Sequence, residues 1–177
     1  FYDYTFSLVF TNLSDDDDAD GVVQGQQDHG GFSAVTPLAG GKFATSYFHY
    51  TDNYILPNAS LSTNAATSIA DLSGFDMREF VPEAKIQIMN TTIDGKSVLI
   101  YATNTQSKQI GLFIYDSSSG EFLGSKYIGF TNPYEFGRMT ATSDGGVIIA
   151  GNTYIAGRFS RIALIKLSEE ETASLIR

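Results

Sequence analysis

An acidic segment near the start of the chain carries the residues best suited to binding a metal ion. Asp16, Asp18 and Asp20 alternate along it, and Gly21-Val22 follows directly. Alternating carboxylates, a glycine for the tight turn and the next backbone carbonyl match the opening positions of a calcium loop. Gln27, however, stands where a bidentate carboxylate would complete that loop. The pattern predicts calcium held by Asp16, Asp18, Asp20 and the Val22 carbonyl, with a solvated acidic turn as the alternative.

Aromatic side chains in polar segments are the second group that could bind a ligand. The chain has 10 Tyr and 13 Phe; Tyr54 lies in the polar stretch 51–76, and Tyr134 follows Asn132-Pro133. Rings on loops can stack on sugar rings or anchor a protein partner. We therefore predict Tyr54 and Tyr134 as ligand-binding residues for a glycan or a protein. The alternative is that these rings fill the space between packed sheets.

Catalytic motifs are absent from the sequence. It contains no Gly-x-Ser-x-Gly, no phosphate-binding glycine loop and no metal-ligand spacing around His29 and His49. Loop carboxylates could still converge in space for glycoside hydrolysis, and four candidates are Asp52, Asp76, Glu79 and Glu135. We predict no catalytic residue and favour a non-catalytic binding module, with a propeller-type glycan-active enzyme as an alternative.

Short strands separated by glycine turns must position these side chains. The turns Gly40-Gly41, Asp94-Gly95 and Asp144-Gly145-Gly146 recur about every 50 residues, each before an apolar run. This pattern predicts an all-β fold of β-propeller blades, each of four short antiparallel strands, over about 31–83, 84–130 and 134–177. We expect three to four blades, long loops at 11–31 and 51–76, and a terminal helix capped by Ser168. A β-sandwich is the alternative.

One repeat resembles those of a known family. Asp144-Gly145-Gly146, the strand Val147–Ala150, Gly151-Asn152-Thr153 and the strand Arg161–Leu167 resemble the repeats of bacterial secreted and surface β-propellers. The segment 94–115 is a degenerate copy, and 40–50 keeps only its glycines and strand. The resemblance implies a secreted, periplasmic or cell-surface protein, often a lipoprotein, in which the repeat residues are structural. Members of such a fold have many functions, so no ligand follows from it.

Composition excludes several classes of partner. The chain has 177 residues, a net charge of −9, a pI of about 4.5 and no cysteine. Nucleic-acid binding needs a basic surface that is lacking, and no apolar run is long enough to span a membrane. Because Phe1 opens directly into strand-like sequence, we expect a processed part of a longer chain, whose remaining blades would be a partner. A calcium-stabilised domain of a larger surface protein is then a further alternative.

Overall fold

The computed structural model describes residues 8–10, 21–24, 29–60, 66–154 and 159–176, and only the backbone of 8–10, 21–24 and 66–67. The described ranges contain fourteen strands and one short α-helix. They are β1 (Leu8–Phe10), β2 (Gly21–Gln24), β3 (Gly30–Pro37), β4 (Phe43–His49), β5 (Asp52–Ala59), β6 (Ala66–Ser68), β7 (Phe75–Asp76), β8 (Gln87–Ile93), β9 (Lys96–Asn104), β10 (Ile110–Asp116), β11 (Phe122–Ile128), β12 (Tyr134–Ala141), β13 (Val147–Thr153), β14 (Arg161–Leu167) and α1 (Glu169–Ala173). Two 3-10 turns, Ala39–Gly41 and Ile69–Asp71, complete these elements.

The strands form three antiparallel sheets that follow one another along the chain. Sheet I has the order β3-β4-β5-β7, sheet II has β8-β9-β10-β11 and sheet III has β12-β13-β14. In each sheet the strands lie side by side in sequence order, as in the blades that the glycine turns predict. A mixed sheet, β1-β2-β6, contains the one parallel pair of the described strands. The predicted all-β fold with blade-like antiparallel sheets is confirmed.

The turn Asp94-Gly95 forms the predicted hairpin between β8 and β9. Ile93 pairs with Lys96, so the loop has two residues. Asp94 has a φ of 49° and Gly95 a φ of 75°. Positive φ at both positions matches the right-handed twist of the flanking strands, and asparagine, aspartate and glycine adopt it at the lowest steric cost.

The prediction of a long loop at 51–76 is wrong. This segment contains β5, which pairs with β4, together with β6 and β7. Along β5, Asn53, Ile55, Pro57 and Ala59 are buried and alternate with less buried residues. Proline and asparagine in a polar stretch suggest a loop, but the register with β4 shifts near Pro57. An irregularity of this kind accommodates a residue without an N–H.

The predicted loop at 11–31 likewise contains β2 and the start of β3. Residues 11–20 and 25–28 lie outside the described residues. The strand-like sequence that follows Phe1 is described only at Leu8–Phe10, where it pairs with β2.

The core lies on both sides of sheet II. Between sheets II and III is an aliphatic interface, which we define by Ile93, Val98, Ile100, Ala102, Ile110, Leu112, Ile114, Met139, Val147, Ile149, Leu167 and Leu175. Between sheets I and II is an aromatic interface, defined by Ala44, Ile55, Met77, Phe80, Ala84, Ile86, Leu99, Tyr101, Phe113 and Tyr115. Because side chains alternate along a strand, β9 and β10 contribute to both interfaces.

The terminal helix begins where the sequence predicts. The Ser168 hydroxyl accepts a hydrogen bond from the Glu171 amide at 3.2 Å, and the Glu171 carboxylate accepts one from the Ser168 amide at 2.9 Å. This reciprocal pair is a capping box. The helix ends at Ala173, and Leu175 then joins the aliphatic interface. No helix in the described ranges is long and apolar enough to cross a membrane.

Candidate functional site: a cleft between sheets II and III

Four strand ends meet on one side of the molecule, where strands of sheets II and III begin or end; we call this side the edge of the two sheets. Strand β9 ends at Asn104 and β10 begins at Ile110, while β12 begins at Tyr134 and β13 ends at Thr153. Because β9 and β10 are antiparallel, Asn104 pairs with Ile110 in sheet II. Because β12 and β13 are antiparallel, Tyr134 pairs with Thr153 in sheet III. The Asp94-Gly95 hairpin lies at the opposite edge. The turn between β9 and β10 therefore lies on the same side as the segments that precede β12 and follow β13, although these are distant in sequence.

A cleft of about 420 Å³ opens at this edge. Its walls carry two tyrosines, one cation, one carboxylate and several uncharged groups. The lining residues are Val81, Asn104, Thr105, Lys108, Pro133, Tyr134, Glu135 and Tyr154. This combination of apolar rings with a few polar groups is typical of small-ligand sites.

The turn between β9 and β10 forms one wall, and hydrogen bonds fix its shape. The Thr105 amide donates to the Gln109 carbonyl at 2.9 Å, and the Lys108 amide donates to the Thr105 carbonyl at 2.9 Å. Lys108 has a φ of 61°, a conformation uncommon for a residue with a side chain. The Tyr134 amide donates to the Lys108 carbonyl at 2.9 Å. That bond ties this turn to the first residue of β12 across the cleft.

The opposite wall is fixed around the Pro133 carbonyl. It accepts hydrogen bonds from the Thr153 hydroxyl at 3.0 Å and from the Tyr154 amide at 3.2 Å. Gly151 allows this close approach, because a Cβ there would lie 2.1 Å from the Glu135 carbonyl oxygen. Gly151 and Thr153 thus have a structural role in holding residues 133–135 against the end of β13.

A tyrosine and a carboxylate are paired at the rim of the cleft. Tyr154, which is 37% exposed, donates a hydrogen bond from its hydroxyl to Glu135 Oε2 at 2.7 Å. This bond to a carboxylate raises the pKa of Tyr154. The ring of Tyr154 is therefore oriented, and one oxygen of Glu135 remains available to accept a further hydrogen bond.

A larger cavity of about 730 Å³, which we call the channel, adjoins the cleft. The first strands of sheets I, II and III and the segment before β8 line it, and the charged residues among them are Glu83, Lys85 and Arg138. Val81 and Asn104 line both the cleft and the channel. The two cavities therefore share a wall.

Two side-chain amides join sheets II and III beside the channel. Gln87 on β8 donates from Nε2 to the Met139 carbonyl at 2.8 Å and accepts from the Met139 amide at 2.7 Å. Asn104 Oδ1 accepts from the Phe136 amide at 2.6 Å, next to a bulge in β12. These bonds satisfy backbone groups of β12 and fix the orientation of both amides.

The two predicted aromatic residues have different environments. Tyr134 is the first residue of β12; it lines the cleft and packs partly against the aliphatic interface. Tyr54 lies in β5 instead of a loop, and its ring stacks on that of Tyr47 with centroids 5.0 Å apart. A ligand-binding role for either tyrosine stays a prediction.

The predicted calcium ligands fall mostly outside the described residues. Asp16, Asp18 and Asp20 belong to 11–20, and the backbone of Val22 lies in β2, paired with Val9 and Ala66. Calcium binding there stays a prediction. Within the described ranges, no group of three His, Cys, Asp or Glu side chains is placed to hold a metal ion.

The carboxylates considered for glycoside hydrolysis have separate surroundings. Asp76 forms an ion pair with Arg78 at 2.7 Å, and Glu79 accepts a hydrogen bond from the Tyr127 hydroxyl at 2.7 Å. Asp52 lines a small cavity beside Arg78. Of the four, Glu135 lines the cleft. The cleft therefore brings together Tyr134 and Glu135, which the sequence suggested, with Lys108, Asn104 and Tyr154, which it did not.

No known family model matches this chain, and the searches of curated proteins and of solved structures found no match either. The resemblance of the repeats to bacterial surface propellers therefore stays a prediction that rests on the residues quoted for it.

Proposed function

We propose that this protein is a non-catalytic module that binds a glycan in the cleft between sheets II and III. The observation that carries the proposal is that Tyr134 and Tyr154 line one small cavity together with hydrogen-bond donors and acceptors. Sugar rings present apolar C–H faces and a rim of hydroxyls. Tyrosine rings suit the faces, and oriented carboxylate and amide groups suit the hydroxyls.

The rigidity of the cleft supports the same proposal. Backbone hydrogen bonds at Thr105, Lys108 and Tyr134 fix one wall, and those to Pro133 fix the other. A flexible glycan loses conformational freedom when it binds, so a site that is already ordered reduces the total entropic cost. In this proposal Glu135 accepts hydrogen bonds from sugar hydroxyls.

The proposed location is outside the cytoplasm, in a secreted, periplasmic or surface protein. It rests on the resemblance of residues 144–167 to the repeats of such propellers. Calcium bound by Asp16, Asp18, Asp20 and Val22 would stabilise the domain in this proposal and is independent of the cleft.

The test is a glycan array in calcium buffer and again in EDTA, followed by titration of the best ligand. Tyr154→Ala should weaken binding about tenfold, because an aromatic contact of roughly 1.4 kcal/mol is lost. Tyr50→Ala is the matched control, since Tyr50 is 58% exposed and lies outside the cleft. It should leave the affinity unchanged.

Three results would contradict the proposal. They are no binding to any glycan, equal losses for the two alanine variants, or binding that Tyr154→Ala leaves intact. Binding of a protein partner instead, lost in Tyr154→Ala, would assign the cleft to protein recognition. A loss of binding in EDTA would contradict the proposed independence of calcium and the cleft, and would leave the cleft as the proposed glycan site.

A further inference from the structure

Three cations line the two adjoining cavities without an ion-pair partner. Lys108 lines the cleft, and Lys85 and Arg138 line the channel. None of the three forms an ion pair with any described residue, whereas Arg78 pairs with Asp76 and Lys166 pairs with Asp144. The chain has 11 Lys and Arg residues against 20 Asp and Glu. The linings of the two cavities contain these three cations and two carboxylates, Glu83 and Glu135. This local excess of cations is opposite to the charge balance of the whole chain and results from the fold.

Asn104 contributes a neutral donor at the boundary of the cleft and the channel. Its Oδ1 is held by the Phe136 amide, so the orientation of the side-chain amide is set. Its Nδ2 donates to no described residue, and Asn104 lines both cavities. An amide nitrogen has two hydrogens to donate. The shared wall therefore presents an oriented donor to the cleft, which Lys108 also lines.

The acceptors of the cleft are already partly engaged. One oxygen of Glu135 accepts from Tyr154, and the Thr105 hydroxyl interacts with Ser107 and Gln109. The Pro133 carbonyl accepts two hydrogen bonds. Among the described side chains that line the cleft, Lys108 and Asn104 thus offer more unengaged donor hydrogens than Glu135 offers unengaged acceptor oxygens. A ligand group with two acceptor oxygens would complement them.

We propose that the glycan is acidic, and that the carboxylate of a uronic acid unit is bound by Lys108 and Asn104 while its ring packs on Tyr134 and Tyr154. This inference rests on the proposed function. A carboxylate has two oxygens, one for the lysine ammonium and one for the amide nitrogen, and such charge-assisted bonds are stronger than neutral ones. In the adjoining channel, Lys85 and Arg138 against Glu83 give the lining a net positive charge.

The experiment compares oligogalacturonate with the same oligomer after full methyl esterification, which removes the charge and keeps the sugar backbone. Oligoglucuronate and oligomannuronate with their methyl esters are measured in parallel, together with the neutral glycans of the array. At least one acid should bind roughly tenfold or more tightly than its ester, because hydrogen bonds to charged groups are worth about 1.5–3 kcal/mol. The preference should fall as salt is raised.

Lys108→Gln should reduce the affinity for the acid about tenfold and leave the affinity for the ester nearly unchanged. Lys96→Gln is the matched control, because Lys96 is exposed and lies at the opposite edge beside the Asp94-Gly95 turn. Equal binding of acid and ester, or equal effects of the two variants, would overturn the acidic class and leave glycan binding intact. Binding to neutral glycans alone would do the same. Failure to bind any glycan would overturn both proposals.

Discussion

The two faces of sheet II are built by alternate residues of the same strands, yet they differ in chemistry. Towards sheet III, β9 and β10 present Val, Ile, Leu and Ala, and towards sheet I they present Leu99, Tyr101, Phe113 and Tyr115. Both faces are buried. The aliphatic interface gains hydrophobic stabilisation, and the twelve residues that define it carry no side-chain oxygen or nitrogen that needs a hydrogen bond.

The aromatic interface has polar groups that its packing satisfies incompletely. Tyr101 is fully buried, and its hydroxyl has no hydrogen-bond partner among the described residues. Outside the residues that define this interface, the hydroxyls of Thr45 and Ser46 on β4 are also buried without a partner in the described part of the chain. Aromatic pairs compensate in part: the Phe80 and Phe113 rings have centroids 5.0 Å apart, and Tyr101 meets the edge of Tyr115 at 5.5 Å. Burial alone therefore does not measure what an interface contributes.

The largest expected effect is at the aliphatic interface. Leu112→Ala should lower the free energy of unfolding by about 3 kcal/mol, because it removes buried methyl groups and leaves a cavity in packed surroundings. Urea unfolding followed by circular dichroism should give a lower midpoint with an unchanged slope.

Leu164→Ala is the control for that variant, since Leu164 on β14 is 71% exposed. It should change the free energy of unfolding by no more than about 0.5 kcal/mol. Similar losses for both leucines would mean that sheets II and III are not packed together as described.

Strand positions and turns could be predicted from the sequence, because they depend on the local hydrophobic pattern and on local backbone conformation. Short apolar runs marked β9, β10 and β13, an alternating run marked β14, and Asp94-Gly95 marked a hairpin. Strand β5 was missed because Pro57 and its polar neighbours suggest a loop. Its alternation has meaning only once β4 pairs with it. The assignment of β9 side chains to an aliphatic or an aromatic interface is likewise a property of packing.

Part of the candidate site could be predicted, and the rest depends on topology. Tyr134 stood out because it follows Asn132-Pro133, and Glu135 because it is a carboxylate between strands. Lys108 and Tyr154 had no signal of their own. Lys108 reaches the cleft through a tight turn and Tyr154 through the bonds to Pro133. The site became visible only when the edge shared by sheets II and III was known.

The second largest expected effect is a loss of stability at alkaline pH that comes from the aromatic interface and not from the aliphatic one. Burial raises the pKa of Tyr115 to about 12 and also raises that of Tyr101, against an unfolded value of about 10. Above the unfolded pKa the unfolded chain releases the phenolic proton and the folded protein keeps it, so stability falls as the pH rises from about 10 to 12. The loss attributable to Tyr115 should be about 2 kcal/mol over this window, because each unit of difference in pKa between the folded and unfolded states corresponds to about 1.4 kcal/mol.

The measurement is the free energy of unfolding at pH 9 and at pH 11.5 for the protein, Tyr115→Phe and Tyr50→Phe. Tyr115→Phe should lose clearly less stability over this interval, and Tyr50→Phe, at an exposed position, should behave like the parent protein. An identical alkaline loss in all three would show that the aromatic interface does not hold its tyrosines neutral.

The smallest expected effect concerns the buried Tyr101 hydroxyl, and its test is whether removing this group lowers or raises stability. Tyr101→Phe removes a hydroxyl that has no partner among the described residues and keeps the ring, so it should leave stability unchanged or raise it by up to about 1 kcal/mol. Tyr47→Phe is the matched comparison, because the Tyr47 hydroxyl donates to the Leu72 carbonyl at 2.7 Å and accepts from the Gly74 amide at 2.8 Å. Losing both bonds should cost about 1–2 kcal/mol.

A clear destabilisation by Tyr101→Phe, measured by the same urea unfolding, would mean that a bound water or another group satisfies this hydroxyl. The aromatic interface would then have no polar cost, and its difference from the aliphatic interface would be one of shape alone.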